Sequence, residues 1–157
     1  MSTLNDPIRS LLNLAMEGDA EAQYLMATEY VTGDRVESSE ERALFWYLKS
    51  AGGGYTAAKW NAGMMIIDDA NSRSSADIEF ALKLIESAAA ASEPSANEFI
   101  SHCYSRGKHG FPIDHVKSTS YLKCAKGGRA FKTLSEPIDV PDNLVDFRLQ
   151  KEYSFDT

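Results

Sequence analysis

The chain has 157 residues, of which 43% are hydrophobic and 25% charged, and its formal net charge is −7 at pH 7. This length predicts one domain with its own core, and the acidic balance disfavours general nucleic-acid binding. The longest apolar stretches are far shorter than the roughly 18 residues that a membrane-spanning helix needs. The amino terminus has neither the basic start nor the apolar core of a secretory signal, so we expect a cytoplasmic protein.

The predicted elements begin with an amino-terminal capping helix within residues 1–17. Pro7 is expected at its first helical position, where the missing backbone N–H costs nothing. Leu11, Leu14 and Ala15 follow at helical spacing. We expect these three side chains to cover the front of the segments that follow.

An internal repeat comes next in the chain. Residues 47–54 (YLKSAGGG) recur as residues 121–128 (YLKCAKGG), 74 positions later, and the same offset relates Ala22 to Ala96. Half of that offset locates a middle copy of about 37 residues, so the sequence predicts an array of similar units. The predicted copies are residues 18–53, 54–91 and 92–128.

Each copy contains two segments whose apolar residues lie three or four positions apart. In the first copy Ala22, Met26 and Tyr30 share one helical face, and Ala43 and Tyr47 share another. No segment has the two-residue period of a strand. The predicted fold class is therefore all-α, with two antiparallel helices in each copy.

Capping residues mark where these helices begin and end. Asp19 is a suitable N-cap for the first helix of the first copy. Gly33 is placed to end that helix in a left-handed turn. Ser38 or Ser39 is expected to open the second helix, and Trp46 within it is expected to be packing rather than binding surface.

Residues 129–157 form the last predicted segment. Phe131 and Leu134 suggest a degenerate fourth unit, and Leu149 and Tyr153 suggest a short final helix that packs back as a carboxy-terminal cap. Because a helical pair cannot bury both of its faces alone, the copies must stack and the ends must be capped. The sequence leaves open whether this tail caps the stack or binds a partner.

The first copy resembles the Sel-1-like repeat, a relative of the tetratricopeptide repeat. The resemblance rests on residues 20–24 (AEAQY), Gly33, residues 46–47 (WY) and the glycines that end the copy. Ala27 replaces the family's usual glycine and Arg42 its usual lysine, and the second and third copies are more degraded. The resemblance implies a short right-handed α-solenoid of about three helix-turn-helix repeats with terminal capping helices. It also implies a concave, protein-binding face lined by the first helices.

Two groups of relatives imply different functions. Secreted, cysteine-rich relatives are associated with β-lactam binding, but the first two copies here have no cysteine, so neither property is carried over. Short cytoplasmic bacterial relatives resemble immunity proteins, which bind and block a toxin. We therefore expect an immunity protein that neutralises a toxin domain by occlusion. The alternative is a regulatory adaptor that bridges signalling or envelope proteins.

Charge along the chain is strongly segregated. Residues 17–41 carry eight acidic side chains and one basic, a balance of −7, and residues 101–132 carry seven basic and one acidic, a balance of +6. The tail from Thr133 is acidic again. Because surface charge steers encounters, the acidic first copy favours a basic partner. Solvated helix faces with partial internal pairing are the alternative.

The polar residues of the third copy do not form a recognisable reactive site. His102, His109 and His115 lie near Cys103, but without the spacing of a zinc site. Both cysteines of the chain, Cys103 and Cys124, are interpreted as buried thiols. No nucleophile motif or phosphate-binding glycine pattern is present. We expect a protein that is not an enzyme and that holds no metal or cofactor.

The candidate protein-binding residues combine acidic positions of the first copy with stacked positions of the first helices. Tyr24 and Trp60 stand at equivalent positions, as do Thr28 and Met64. Aromatic, methionine and charged side chains suit protein recognition, although Tyr24 also matches a position that packs in the repeat. The full set is Glu21, Tyr24, Thr28, Glu37, Glu41, Trp60, Met64, Asp68, Glu98 and His102.

Overall fold

The computed structural model describes residues 6–128 and 130–153. In these residues the chain forms eight α-helices, two short 3₁₀ helices and no sheet, which confirms the all-α prediction. None of the described helices is long and apolar enough to cross a membrane. The α-helices are α1 (Asp6–Met16), α2 (Ala20–Thr32), α3 (Glu40–Gly52), α4 (Thr56–Asp68), α5 (Ser75–Ala90), α6 (Pro94–Arg106), α7 (His115–Lys126) and α8 (Phe147–Glu152).

The three predicted copies correspond to the helix pairs α2 with α3, α4 with α5, and α6 with α7. The predicted caps of the first pair are confirmed. Asp19 Oδ1 accepts a hydrogen bond from the Ala22 backbone N at 2.7 Å, and Gly33 has a φ of 71°. Ser39 Oγ accepts from the Arg42 N at 3.2 Å and begins α3.

The described residues form two compact units, residues 6–58 with 136–153 and residues 59–128 with 130–135. Three parts of the sequence predictions lie outside the described residues. They are residues 1–5 of the amino-terminal segment, Arg129 of the basic segment and residues 154–157 of the tail.

In the first unit, α1 covers α2 with a different set of side chains from the one predicted. Ile8 and Ala15 are fully buried, whereas Leu14 is exposed, so the prediction for Leu14 is wrong. Leu14 lies one residue before Ala15 and therefore about 100° away on the helix, off the buried face. The Gln23 side-chain amide of α2 donates to the Ala15 carbonyl at 3.0 Å.

The carboxy-terminal segment packs on α3, and the predicted final helix is present as α8. The ring of Tyr153 lies 4.7 Å from that of Trp46 and 5.7 Å from that of Phe45. Its hydroxyl lies 3.0 Å from the hydroxyl of Tyr30 and accepts from Arg42 Nη1, also at 3.0 Å. Burial, followed by the contact with Tyr153, raises the pKa of Tyr30 well above its ordinary value. Leu144, Leu149 and Tyr153 are buried in this contact, and Trp46 is fully buried, as predicted.

In the second unit, α4 and α5 approach each other closely at Gly63. A Cβ atom built at Gly63 would lie 2.7 Å from Ile85 Cγ1 and 3.0 Å from the Ala81 carbonyl oxygen. Both distances are shorter than normal carbon contacts. The approach therefore requires glycine, and it lets Leu84 and Ile85 become fully buried.

Buried polar residues occupy one equivalent position in each first helix. The side-chain amides of Gln23 and Asn97 each donate a hydrogen bond to a backbone carbonyl of the preceding helix. Asn97 Nδ2 donates to the Ala89 oxygen at 3.1 Å. Lys59 is fully buried at the same position of α4. Its ammonium group donates to Ser87 Oγ at 2.7 Å and to Ser135 Oγ at 2.9 Å.

The third copy is much less buried than the others. Cys103 of α6 is buried, but Cys124 of α7 is exposed, so the prediction that both thiols are buried is wrong for Cys124. After α7 ends at Lys126, the described residues up to 141 form no helix, and Phe131 and Leu134 are exposed. The helical fourth unit suggested by these two residues is absent from the described segment.

Candidate protein-binding surface

The predicted site residues fall into two sets, one in each compact unit. The helix α2, the turn after it and the start of α3 carry Glu21, Tyr24, Thr28, Glu37 and Glu41 in the first unit. The helices α4 and α6 carry Trp60, Met64, Asp68, Glu98 and His102 in the second unit.

Tyr24 and Thr28 belong to a small polar and aromatic cluster on α2. The ring of half-buried Tyr24 lies 4.9 Å from that of Tyr55 and 5.7 Å from that of Tyr47. Thr28 Oγ1 donates to the Tyr24 carbonyl at 3.1 Å and lies 3.3 Å from the Tyr47 hydroxyl. Part of each side chain therefore serves the packing between α2 and α3, and only the remaining edge is accessible to a partner.

The acidic side chains of the first unit differ in how they are paired. Glu21 and Glu37 are exposed. Glu41 lies 2.6 Å from the Arg148 guanidinium, in an ion pair whose two side chains are about 70% exposed. Burial raises the pKa of Tyr55, and the negative charge of Glu21 adds to this effect. Glu21 and Glu37 thus contribute more to the external field than Glu41 does.

The second unit presents a row of aromatic rings. The ring of half-buried Trp60 on α4 lies 6.1 Å from that of Phe99 on α6, edge to face. Phe99 in turn stacks on His109 with 5.7 Å between ring centroids. Met64 is half-buried on the same helix as Trp60. The three predicted polar residues of this unit, Asp68, Glu98 and His102, are exposed.

Phe99 and His109 are part of this row but are not among the residues predicted from the sequence. Phe99 follows Glu98 directly and lies at a half-buried position beside the buried face formed by Ala96 and Ile100. A large aromatic residue next to the predicted core face could therefore have been recognised from the sequence as a candidate binding residue. His109 lies in the loop after α6 with a φ of 55°, a conformation uncommon for a residue other than glycine. No periodicity predicts where such a loop places a ring.

A cavity or cleft is present in each unit. In the first unit, a cavity of about 260 Å³ lies between α3 and the tail and is lined mainly by apolar side chains, including Phe45, Leu48 and Val140. In the second unit, an open cleft of about 370 Å³ lies between α5 and the loop at His109 and Phe111. Lys49 stands at the wall of the first cavity, and burial lowers its pKa.

The described residues bring together no set of metal ligands. Within residues 6–128 and 130–153, no three His, Cys, Asp or Glu side chains are grouped to hold a metal ion. Burial raises the pKa of the Cys103 thiol to about 11. Because the thiolate is the nucleophilic form, this thiol is unreactive near neutral pH.

The repeat pattern, the helical pairs and their caps agree with a known family. The Sel1 repeat matches residues 20–55, 57–93 and 94–126, which is about two thirds of the chain. The chain belongs to the Sel1 repeat family. Sel1 repeat proteins are protein-interaction modules, and their repeats build an all-α solenoid fold.

Two solved structures are similar to the chain. A Sel1 repeat protein from Oxalobacter formigenes has a TM-score of 0.65 and 25% identity, over 78% of this chain and 91% of that one. A protective antigen with an SLR fold, present in uropathogenic Escherichia coli strains, has a TM-score of 0.67 and 23% identity, over 82% of this chain and 27% of that one. A sequence search of curated proteins gives no significant match.

Proposed function

We propose that this protein is an immunity protein that binds a basic toxin domain and blocks it by occlusion. The observation that carries the proposal is the exposed acidic surface of the first repeat. It includes Glu21 and Glu37, and it extends from the end of α1 to the start of α3 through Glu17, Asp34 and Glu40, which are also exposed. The residues proposed to contact the toxin, together with exposed apolar neighbours, are those predicted from the sequence in the first unit: Glu21, Tyr24, Thr28, Glu37 and Glu41.

The electrostatic support lies in the scarcity of compensating positive charge. Arg35 is the one basic residue between residues 17 and 41, and its guanidinium forms an ion pair with Glu29. Arg148 from the tail pairs with Glu41. The remaining exposed carboxylates produce a negative field, which accelerates the encounter with a basic protein and loses strength as salt screens it.

Apolar side chains beside the acidic surface supply the contact that follows the encounter. Leu25 and Val31 of α2 are exposed, and Tyr24 on the same helix keeps one accessible edge. Apolar and aromatic side chains ringed by charge are typical of the centres of protein interfaces. In this proposal the acidic residues set the association rate, and these three side chains set the lifetime of the complex.

A second candidate function is an adaptor that holds two partners. The observation in its favour is the aromatic row of Trp60, Phe99 and His109 in the second unit, since such rings are enriched at protein interfaces. An adaptor would bind several proteins weakly. An immunity protein would bind one toxin tightly and abolish its activity.

The test is affinity capture with the tagged protein as bait, followed by identification of the captured proteins. The bait is compared with the Glu21→Gln, Glu37→Gln double variant, which removes two exposed charges without changing side-chain size. The matched control is Glu79→Gln with Glu86→Gln, two exposed acids on α5. Glu41 is left in place because its ion pair with Arg148 would confuse the reading.

We expect the wild-type bait and the α5 control each to capture one protein. The toxic activity of that protein should be abolished when the bait is added in equimolar amount. The Glu21, Glu37 variant should associate severalfold more slowly at low salt, with a weaker dependence on salt. Capture of several proteins, none of them inhibited, would refute the immunity function and support the adaptor. An unchanged association rate would refute charge steering by the first repeat.

A further inference from the structure

The helix α7 differs from the equivalent helices of the other two repeats in how little of it is buried. The helices α3 and α5 each bury seven residues, whereas α7 buries none. It packs mainly against α6, and its other side faces solvent. In a repeat protein the outer side of a terminal repeat normally needs a polar cap, because it lacks a next repeat to cover it.

The exposed side of α7 is apolar as well as basic. Val116 is 81% exposed and Leu122 37% exposed, and Lys123 and Lys126 are exposed beside them. We call these four residues the α7 face. The nearest acid in the sequence, Asp114, is engaged as the N-cap of the helix, where its carboxylate accepts from the Lys117 N at 3.0 Å. The α7 face therefore suits a surface that is apolar and acidic.

A surface of that chemistry exists on the same chain, on α2. Leu25 is 41% exposed and Val31 55% exposed, and Glu21 is exposed one turn before Leu25. We call these three residues the α2 face. On α7 the corresponding pair is Leu122 with Lys126 one turn later. Each helix therefore carries an exposed leucine with a charged residue four positions away, negative on α2 and positive on α7.

We propose that the α7 face of one copy of this protein docks on the α2 face of a second copy. Charge complementarity selects this occupant, since the α2 face carries Glu21 and the α7 face carries Lys123 and Lys126, and the segments around them have the same signs, −7 over residues 17–41 and +6 over residues 101–132. The contact joins two different surfaces, so it is heterologous, and a dimer keeps one unused face of each kind. Association of this kind continues beyond the dimer as the concentration rises.

The position of the two faces also determines how self-association depends on salt and whether it competes with partner binding. The charged partners are exposed, so screening weakens the contact, and association is strongest at low ionic strength. Glu21 also belongs to the surface proposed for partner binding. Self-association and partner binding therefore compete for α2, although the self-association does not depend on the existence of that partner.

The experiment measures the mass of the full chain by sedimentation velocity over a range of concentrations, at low and at high salt. Two variants each disable one face, Leu25→Asp on α2 and Leu122→Asp on α7. The matched control is Phe147→Asp, which changes an exposed aromatic side chain on α8, outside both faces. Circular dichroism melting confirms that all three variants are folded, as expected because the altered side chains are exposed.

We expect the wild type and the Phe147→Asp control to rise above the 17.3 kDa monomer mass with concentration at low salt and to return to it at high salt. Each face variant alone should associate at least about tenfold more weakly, the loss typical of removing one central contact. Mixed in equal amounts, the two face variants should form one 1:1 dimer and nothing larger, because one intact face of each kind remains.

Two results would overturn the proposal. A wild-type chain that stays monomeric at every concentration and salt would show that the faces do not bind each other. A mixture of the two face variants that stays monomeric, while the wild type forms a closed dimer, would show an interface between identical surfaces instead. Both results are independent of the immunity function, which the capture experiment tests.

Discussion

The second helices of the first and third repeats have related sequences but different surroundings. Leu48 on α3 and Leu122 on α7 are equivalent positions in the recurring string, yet their exposed fractions are 3% and 37%. The tail packs on α3 through Tyr153, whereas the outer side of α7 faces solvent. Burial in this protein is therefore decided by what lies beside a repeat as much as by the residues within it.

The largest expected effect comes from truncating the buried one of the two equivalent leucines, with the exposed one as its comparison. We expect Leu48→Ala to lower the free energy of unfolding by about 2–4 kcal/mol, since it leaves a cavity in a packed core. Leu122→Ala, which removes the same atoms from an exposed site, should cost less than about 1 kcal/mol. Urea unfolding followed by circular dichroism measures both. Equal losses would show that α7 is covered and would remove the contrast between the two helices.

The next prediction concerns Lys59, which contacts the segment that follows the third repeat. Its ammonium group holds Ser135, which is the last residue of the second unit before the tail joins the first. We expect Lys59→Ala to lower the free energy of unfolding by about 1–3 kcal/mol, because buried hydrogen-bonding groups lose their partner. Lys83→Ala on α5 is the control, since Lys83 is exposed. A loss no greater than that of the control would contradict a structural role for Lys59.

The two cysteines provide a pH test within the third repeat. Burial raises the pKa of Cys103 to about 11 from its ordinary 9.0, so the unfolded chain gives up this proton first. The stability that the thiol contributes is complete below about pH 9 and is lost as the pH rises through about 11. We expect Cys103→Ala to be less sensitive to alkaline pH than Cys124→Ala when thermal unfolding is compared between pH 8 and about pH 11. Identical pH profiles for the two variants would contradict the prediction.

A thiol reagent at about pH 8 gives the same contrast without unfolding the protein. Cys124 should react rapidly because it is exposed, and Cys103 should react only as the protein opens. Two thiols that react at the same rate would show that α6 and α7 do not differ in burial as described.

The smallest expected effect concerns the ion pair between the tail and the first repeat. Arg148 and Glu41 are both mostly exposed, so Arg148→Ala should leave the midpoint of urea unfolding almost unchanged, because water and salt screen such a pair. Urea unfolding is again the measurement. A clear fall of that midpoint would show that this pair, in addition to the buried contacts of Tyr153, holds the tail in place.

Most of the fold is predictable from the sequence because its signals are local. Asp19, Gly33 and Ser39 mark helix ends through their own backbone chemistry, and the 74-residue offset alone relates α3 to α7. The short helix at Leu149 and Tyr153 follows from apolar spacing in the same way. These features depend on spacing and on residue type, which a single sequence records.

The site is less predictable because it depends on contacts between distant residues. The pairing of Glu41 with Arg148 spans 107 positions, and the contact of Phe99 with His109 depends on a loop of unusual conformation. Periodicity alone makes α7 equivalent to α3, and it carries no information about which of the two helices the tail covers. The exposure of Cys124 on α7 is therefore outside what the repeat pattern can predict.

Hydrogen exchange of the dilute protein tests the central claim. That claim is that the tail covers α3 of the first repeat, whereas the outer side of α7 is exposed to solvent. The account predicts that α3 amides exchange only with global unfolding, whereas α7 amides exchange much faster through local opening, since little packing holds that helix. Equally slow exchange of α3 and α7 at a concentration where the chain is monomeric would contradict the account, because it would mean that both helices are covered within one copy.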